Sequence, residues 1–369
     1  MTAFDSPKGP LAGIRIVEID GIGPLPLAGM ILADMGADII RVTRPENRAG
    51  DWPDVGGSVI HRNRRFVQLD LKSAGGRAAL MELASRADVL MEAFRPGTME
   101  KLGLGPESCH RVNQLLVYAR LSGWGQDGPM RTAAGHDINY LALSGALHSL
   151  GPRDRPPFPP LNFVADYGGG TMFLISGILA ALLAGTRGAR AQVVDVAIAD
   201  TVATLMANYY SFLASGFWSV QREANLLDGA APFYRCYECA DGRYVAVGAL
   251  EPRFFRELLH GLGISETVDQ HDPLGWAALR KRFSDIFITR PRDDWAALFA
   301  ESDACVSPVL DMKEAVANPQ FVARGSHHRR SEIVQPSASP RFTAEPPPPS
   351  FDPVELAAHE IDAVWRTGR

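Results

Sequence analysis

The 369-residue chain is 46% hydrophobic and 21% charged, the proportions of a globular protein with a sizeable core. Its formal net charge of -5 sets aside the basic face of a nucleic-acid binder. The length leaves room for two domains, and four cysteines are too few for a disulfide scaffold.

The first residues, MTAFDSPKGP, lack the basic stretch and apolar core of a secretory signal, so a cytoplasmic protein is expected. Ile14-Arg-Ile-Val-Glu-Ile19 is a β-branched run and reads as a strand. It ends in Gly21-Ile-Gly23-Pro24, after which a helix over 27–35 and a second strand over 37–42 follow. Strand, glycine turn, helix and strand in that order predict a parallel α/β sheet. The dinucleotide fingerprint G-x-G-x-x-G is not met, because Pro26 stands at its third glycine; nicotinamide binding is set aside.

Arg41 and Arg44 fall at the carboxyl end of the second strand, where open α/β sheets bind ligands. They can grip phosphate through charge-assisted hydrogen bonds, or simply be a solvated strand end. A Gly/Asp/Pro-rich loop spans 45–58, and Arg62-Asn-Arg64-Arg65 is a basic cluster free to hold a small anion. A strand then leads to Leu69-Asp70-Leu71-Lys72. A helix over 76–86 and a strand over 88–93 follow, the latter ending at Phe94-Arg95-Pro96-Gly97. Basic residues repeated at strand ends point to a phosphate-rich ligand.

A strand over 115–121 precedes Gly135-His-Asp-Ile-Asn-Tyr140, which sets a histidine beside a carboxylate on a glycine hinge. Beyond a Pro-rich loop, Asp166 closes Asn162-Phe-Val-Ala-Asp, just before Gly168, Gly169, Gly170 and an apolar run over 171–184. That run is shorter than the roughly 20 residues a bilayer span needs, so it reads as a buried helix with no membrane partner. A His and an Asp that meet in the fold can act as a pair of acid–base groups. The bland alternatives are a satisfied loop histidine for His136 and a helix N-cap for Asp166. Capping and proton transfer are compatible.

A strand over 191–198 and a helix over 199–214 come next. Residues 225–310 change character, with a β-hairpin turning at Asp241-Gly242 and amphipathic helices near 252–262, 274–288 and 292–301. Cys236-Tyr-Glu-Cys239 has the spacing of zinc and redox sites, but no second pair completes a tetrahedral set. Residues i and i+3 of a strand also point to opposite faces, so no metal site is expected. Trp218 and the apolar stretch 205–217 are either an apolar ligand-binding surface or core. A linker over 344–350 and a helix over 353–366 end the chain. The expected division is a large α/β domain over 1–190 completed by 330–369, a linker helix over 191–224, a small α+β domain over 225–315, and a return linker with a C-terminal helix over 316–369.

Several motifs recur in order. They are Leu11-Ala-Gly-Ile-Arg-Ile-Val-Glu18, Leu32-Ala-Asp-Met-Gly-Ala-Asp-Ile-Ile-Arg-Val42, Arg62-Asn-Arg-Arg65, Asp70-Leu-Lys-Ser73, Phe94-Arg-Pro-Gly97, Leu102-Gly-Leu-Gly105, Gly135-His-Asp-Ile-Asn-Tyr140, Asp166-Tyr-Gly-Gly-Gly170 and the stretch from Glu238 to Glu251. Through them the chain resembles the α-methylacyl-CoA racemases of the family III CoA-transferase fold along almost its whole length. The resemblance implies an interlocked homodimer, each chain having a large Rossmann-like parallel-sheet domain and a smaller α+β domain. It places CoA contacts on Arg44, on Leu69, Asp70, Leu71 and Lys72, on Ala93, Phe94 and Arg95, and on Gly135, His136, Asp137 and Tyr140. A further contact falls on Lys101, where the family usually has arginine; lysine keeps the charge and loses the bidentate fork. No cofactor is implied, since CoA is part of the substrate.

The implied reaction interconverts (2R)- and (2S)-2-methylacyl-CoA thioesters of branched fatty acids or sterol side chains, by proton transfer through an enolate. Inversion needs a base on one face, an acid on the other and a stabilised enolate oxygen. By resemblance, His136 and Asp166 are the two bases. Glu251 orients His136, and Asp137 supports the site, its backbone N–H donating to the enolate oxygen. Asp166 must hold a proton near neutral pH, which burial beside Phe163 and Val164 favours. Gly168, Gly169 and Gly170 let backbone approach the thioester. The alternative on the same fold is a CoA transferase in which Asp166 attacks the thioester and forms a mixed anhydride. His136 favours the racemase, because a second base is needed only when a proton must reach the opposite face. A non-catalytic acyl-CoA-binding protein would need neither residue.

Overall fold

A computed structural model describes residues 8–45, 57–344, 350–361 and 363–365. Most of the loop expected over 45–58, and the linker prolines, lie outside the described residues. The chain divides into two units, Met1–Ser144 with Pro160–Leu205 and His328–Arg369, and Gly145–Pro159 with Met206–His327.

The first unit is built on a seven-stranded sheet. Its strands are β1 (Arg15–Ile19), β2 (Asp38–Thr43), β3 (Arg65–Gln68), β4 (Val89–Glu92), β5 (Val117–Ser122), β6 (Gln192–Ala197) and a short edge strand, Val354–Glu355. The spatial order is edge strand, β3, β2, β1, β4, β5, β6, and every neighbouring pair runs parallel. Val17, Ile40, Leu90 and Tyr118 are completely buried, as parallel strands covered on both faces require. Strand order reverses between β1 and β4. A crevice therefore opens at their carboxyl ends.

The first helix, Pro24–Asp34, starts three residues earlier than expected. Prolines 24 and 26 fit its first turn, where the missing N–H groups have no intrahelical partner anyway. The helix expected over 199–214 is two helices, Ile198–Leu205 and Ala207–Ala214. The expected terminal helix is not formed by the described residues. Val354–Glu355 instead extends the sheet beside β3, and a single 3₁₀ turn follows at Ala358–Glu360. This arrangement brings Leu356, Ile361 and Val364 onto the core. Burial of those side chains outweighs the helical preference of the segment.

The apolar run is longer than its sequence suggested. A π-helical segment, Phe163–Thr171, continues directly into the α-helix Met172–Thr186. The 24 residues together are long and apolar enough, by length and composition alone, to cross a membrane. Here the α-helical part lies against β5 and β6 and buries Leu174, Ile175, Ile178 and Ala181.

The basic cluster is structural rather than ligand-facing. Arg62 is buried and grips Asp34 with two bonds, Nε to Oδ1 at 3.0 Å and Nη2 to Oδ2 at 2.5 Å. Arg64 is buried against Glu18, its Nη1 lying 2.7 and 2.5 Å from the two carboxylate oxygens. Arg65 bonds Asp38 at 2.6 and 2.7 Å. A Cβ at Gly29 would lie 2.2 Å from Glu18 Oε2, so the first helix can pass this ion pair only at glycine. Each guanidinium is spent on a carboxylate of β1, β2 or the first helix, so none is left for an anion.

In the second unit, β7 (Tyr234–Glu238), β8 (Tyr244–Gly248) and β9 (Val306–Pro308) form an antiparallel sheet. Helices Pro252–Gly261, Trp276–Phe287 and Arg292–Phe299 bury Phe255, Phe283, Phe287 and Trp295 against it. Cys236 is exposed and Cys239 buried, so the C-x-x-C pair does not share a face. Trp218 is buried and stacks on Phe212, with Tyr209 edge-on at 5.0 Å, which makes it core.

Candidate active site

Two cavities lie along the carboxyl edge of the large sheet, both within the first unit. The first, about 700 Å³, sits over the ends of β1, β2 and β3. Its floor is apolar (Ile19, Val42, Leu69, Leu71, Phe94) and its rim carries Arg44, Lys72 and Lys101. Asp70 lines it as well, its Oδ1 accepting the Lys72 N–H at 2.9 Å to fix the turn. Arg41 does not face the cavity. Its Nε and Nη2 both bond Asp20 Oδ1, at 3.0 and 2.5 Å, so the phosphate role considered for it is overturned.

The second cavity, about 340 Å³, lies over the ends of β1, β4 and β5. Phe94 lines both cavities, so they meet at this ring. His136, Asp166, Gly135, Tyr140, Ala93 and Arg95 all reach the second one. The sheet reversal thus brings residues far apart in sequence to one place. A three-cation rim for a polyanion lies on one side of Phe94, and a histidine and an aspartate lie on the other.

His136 is exposed in extended backbone (φ -132°, ψ 176°) as the N-cap of helix Asp137–Leu143. Asn139 Oδ1 accepts its N–H at 3.1 Å. The buried Tyr140 donates its hydroxyl to the Gly135 carbonyl at 2.6 Å, fixing the hinge before the histidine. A Cβ at Gly123 would stand 2.3 Å from that hydroxyl, so glycine there makes the room Tyr140 needs.

Asp166 sits in the π-helical segment, a form frequent at functional sites. Burial pushes its carboxyl up to about 6, and the nearby Asp137 carboxylate adds to the rise. A hydrogen bond with the Asn162 side chain and the proximity of His136 oppose it. Asn162 was not singled out from sequence; its place one helical turn before Asp166 was the available signal. Asp137 is 5% exposed and lines neither cavity. Its Oδ2 accepts the N–H groups of Ala165 and Asp166 at 2.9 and 2.8 Å. It therefore ties the histidine helix to the aspartate segment, and burial raises its own carboxyl against those two bonds. Gly169 and Gly170 serve packing rather than ligand approach: Cβ atoms there would meet Thr201 Oγ1 at 2.4 Å and Ile198 Cγ1 at 3.2 Å.

Residues 11–359 match the model of CoA-transferase family III. The chain belongs to that family. It is 43% identical to the mouse α-methylacyl-CoA racemase over 97% of this chain and 93% of that one. The human α-methylacyl-CoA racemase is likewise 43% identical, over 92% and 88% of the two chains. Among solved structures, a CaiB/BaiF family protein from Brucella suis superposes with a TM-score of 0.82 at 26% identity, covering 97% of this chain and 98% of its own. Within the family frame, Glu251 lies in the second unit, exposed, as the N-cap of helix Pro252–Gly261. Among the described residues, no group of three or more His, Cys, Asp or Glu side chains is placed to hold a metal ion.

Proposed function

We propose that the enzyme interconverts the (2R) and (2S) forms of 2-methylacyl-CoA thioesters by 1,1-proton transfer. One observation carries the reading: His136 and Asp166 reach one small cavity from separate elements, and Asp166 is poised to hold a proton near neutral pH. The α-proton of a thioester is weakly acidic, so its removal needs a base in contact and a stabilised enolate oxygen. Neutral His136 takes the proton from one enantiomer while protonated Asp166 delivers one to the opposite face. For the other enantiomer the roles swap. The enolate oxygen is held by the Asp137 N–H, in the first turn of helix Asp137–Leu143, where amide protons lack intrahelical partners.

The nucleotide and its phosphates occupy the first cavity, on Arg44, Lys72 and Lys101, and the pantetheine passes Phe94 to the second. CoA arrives as part of the substrate, and the reaction needs no further cofactor. We propose a homodimer in which Glu251 of the partner subunit orients His136. Met172 and Leu183 of the first unit are 46% and 53% exposed, and Tyr210 and Phe217 of the second are 56% and 57% exposed, apolar side chains of each unit that a second copy covers. Four free cysteines suit a reducing, cytoplasmic location.

The test starts from one enantiomer of a 2-methylacyl-CoA, with chiral analysis of the thioester over time. Approach to an equal mixture is the expected result. Retained configuration, together with CoA transfer to an added carboxylate, would move the chemistry to nucleophilic attack by Asp166.

A further inference from the structure

Asp20 is a residue of the first cavity that the proposed reaction leaves unused. It follows directly on β1, and its backbone N–H bonds the Val42 carbonyl of β2 at 2.9 Å, so its position is set by the sheet. Both bonds from Arg41 fall on Oδ1. Oδ2 has no hydrogen-bond partner among the described residues, and the side chain, 33% exposed, lines the cavity. An ionised carboxylate only accepts hydrogen bonds, so a fixed, open oxygen here calls for a donor on the ligand. The other charged groups at this rim are cations, apart from Asp70, which closes its own turn. Phosphates are thus drawn to Arg44, Lys72 and Lys101 and repelled from the Asp20 side.

We propose that Asp20 is a specificity-determining residue for the nucleoside end of the ligand, its Oδ2 accepting a hydrogen bond from the base amino group or a ribose hydroxyl. The assignment rests on the reading of the first cavity as the nucleotide site. A single carboxylate on the phosphate-poor side sets the orientation: nucleoside donor toward Asp20, phosphates toward the three cations. Arg41 holds the carboxylate in one rotamer, which makes it a positioning residue at one remove.

The deciding experiment is titration calorimetry with CoA, with a CoA analogue bearing hypoxanthine for adenine, with 2′-deoxy-CoA and with pantetheine. It compares the wild type with Asp20→Asn and Asp20→Ala. Asparagine keeps an oxygen for Arg41 but can turn an N–H₂ group toward the ligand, so donor meets donor. Wild-type CoA affinity should fall about tenfold in Asp20→Asn, the scale of one charged hydrogen bond lost. Pantetheine affinity should stay within about twofold of the wild type, since it does not reach this cavity. The analogue whose affinity is already reduced in the wild type, and falls no further in the variant, identifies which donor is used. Equal CoA affinity in the wild type and both variants overturns the role of Asp20 and leaves the nucleotide site standing. Absence of CoA binding to the wild type overturns both. Circular dichroism of each variant separates loss of binding from loss of fold.

Discussion

Two groups of cations lie in the first unit, and the amino-acid types alone do not distinguish them. Arg62 and Arg64 are 3% and 1% exposed at the side chain and face carboxylates that are equally buried. Arg44, Lys72 and Lys101 stand exposed at a cavity rim. What separates the groups is the neighbour, not the charge. Asp34 and Glu18 neutralise the first group inside the protein, while among the described residues that line its cavity the second has only Asp20, already held by Arg41, and Asp70, already used in its turn. Desolvated pairs hold the sheet and the first helix in one arrangement, and open cations wait for a ligand charge. Substituting one group should damage the fold, and substituting the other should damage only binding or turnover.

The largest effect belongs to the buried pairs. Arg64→Met strands the Glu18 carboxylate in the core and should lower unfolding free energy by about 3–5 kcal/mol, read by chemical denaturation. The double variant Arg64→Met with Glu18→Leu should recover much of that loss, because it removes the stranded charge along with its partner. A small effect of the single variant would place Arg64 with the open group.

Next come the residues of the second cavity. His136→Ala and Asp166→Ala should each reduce racemisation by about 10²–10⁴-fold, the usual contribution of a positioned acid or base. His136 is exposed and Asp166 is partly exposed at the cavity, so melting temperatures should move far less than in Arg64→Met. A smaller loss is expected at the rim. Lys101→Ala should raise KM for the acyl-CoA several-fold, about 1 kcal/mol, with the difference shrinking as salt rises.

The smallest effect is a pH dependence. Asp166 is held at about 6 in the fold against an ordinary 3.8. Between those values the folded state binds more protons than the unfolded one, so this group lowers stability as pH rises through that window. Asp166→Asn should therefore be more stable than the wild type at pH 7, with the advantage vanishing below about pH 4. Asp137→Asn removes a charge that raises Asp166 and should move the pH–rate profile to lower pH, a shift that loss of packing alone does not produce.

Much of the fold could be read from the sequence because the strands of a parallel sheet are continuous apolar runs, and glycine or proline marks their ends. Leu69 to Lys72 and Phe94 were placed at strand ends by the same logic, whereas Lys101 was named only by the resemblance; all of them lie at the first cavity. Long-range pairing was not legible. No local signal says that Arg41 closes on Asp20, Arg62 on Asp34 or Arg64 on Glu18, since each partner lies 21 or more residues away. The terminal segment was misjudged for the same reason: Leu356 and Val364 follow a core that only the folded sheet provides. At the second cavity, His136 and Asp166 stood out by type and flanking glycines, but the Asp137 clamp between their segments depends on backbone N–H groups 28 and 29 residues away. Resemblance could name Asp137, and only the fold shows what its carboxylate does.

The most direct test of two bases on two faces is exchange of the α-proton in deuterated water, starting separately from each pure enantiomer. The wild type should incorporate deuterium from both and invert both. His136→Ala should lose inversion but still exchange the one enantiomer that Asp166 deprotonates, and Asp166→Ala should exchange only the other. If either variant exchanges both enantiomers, or if His136→Ala still inverts at the wild-type rate, the assignment of one base to each face is wrong.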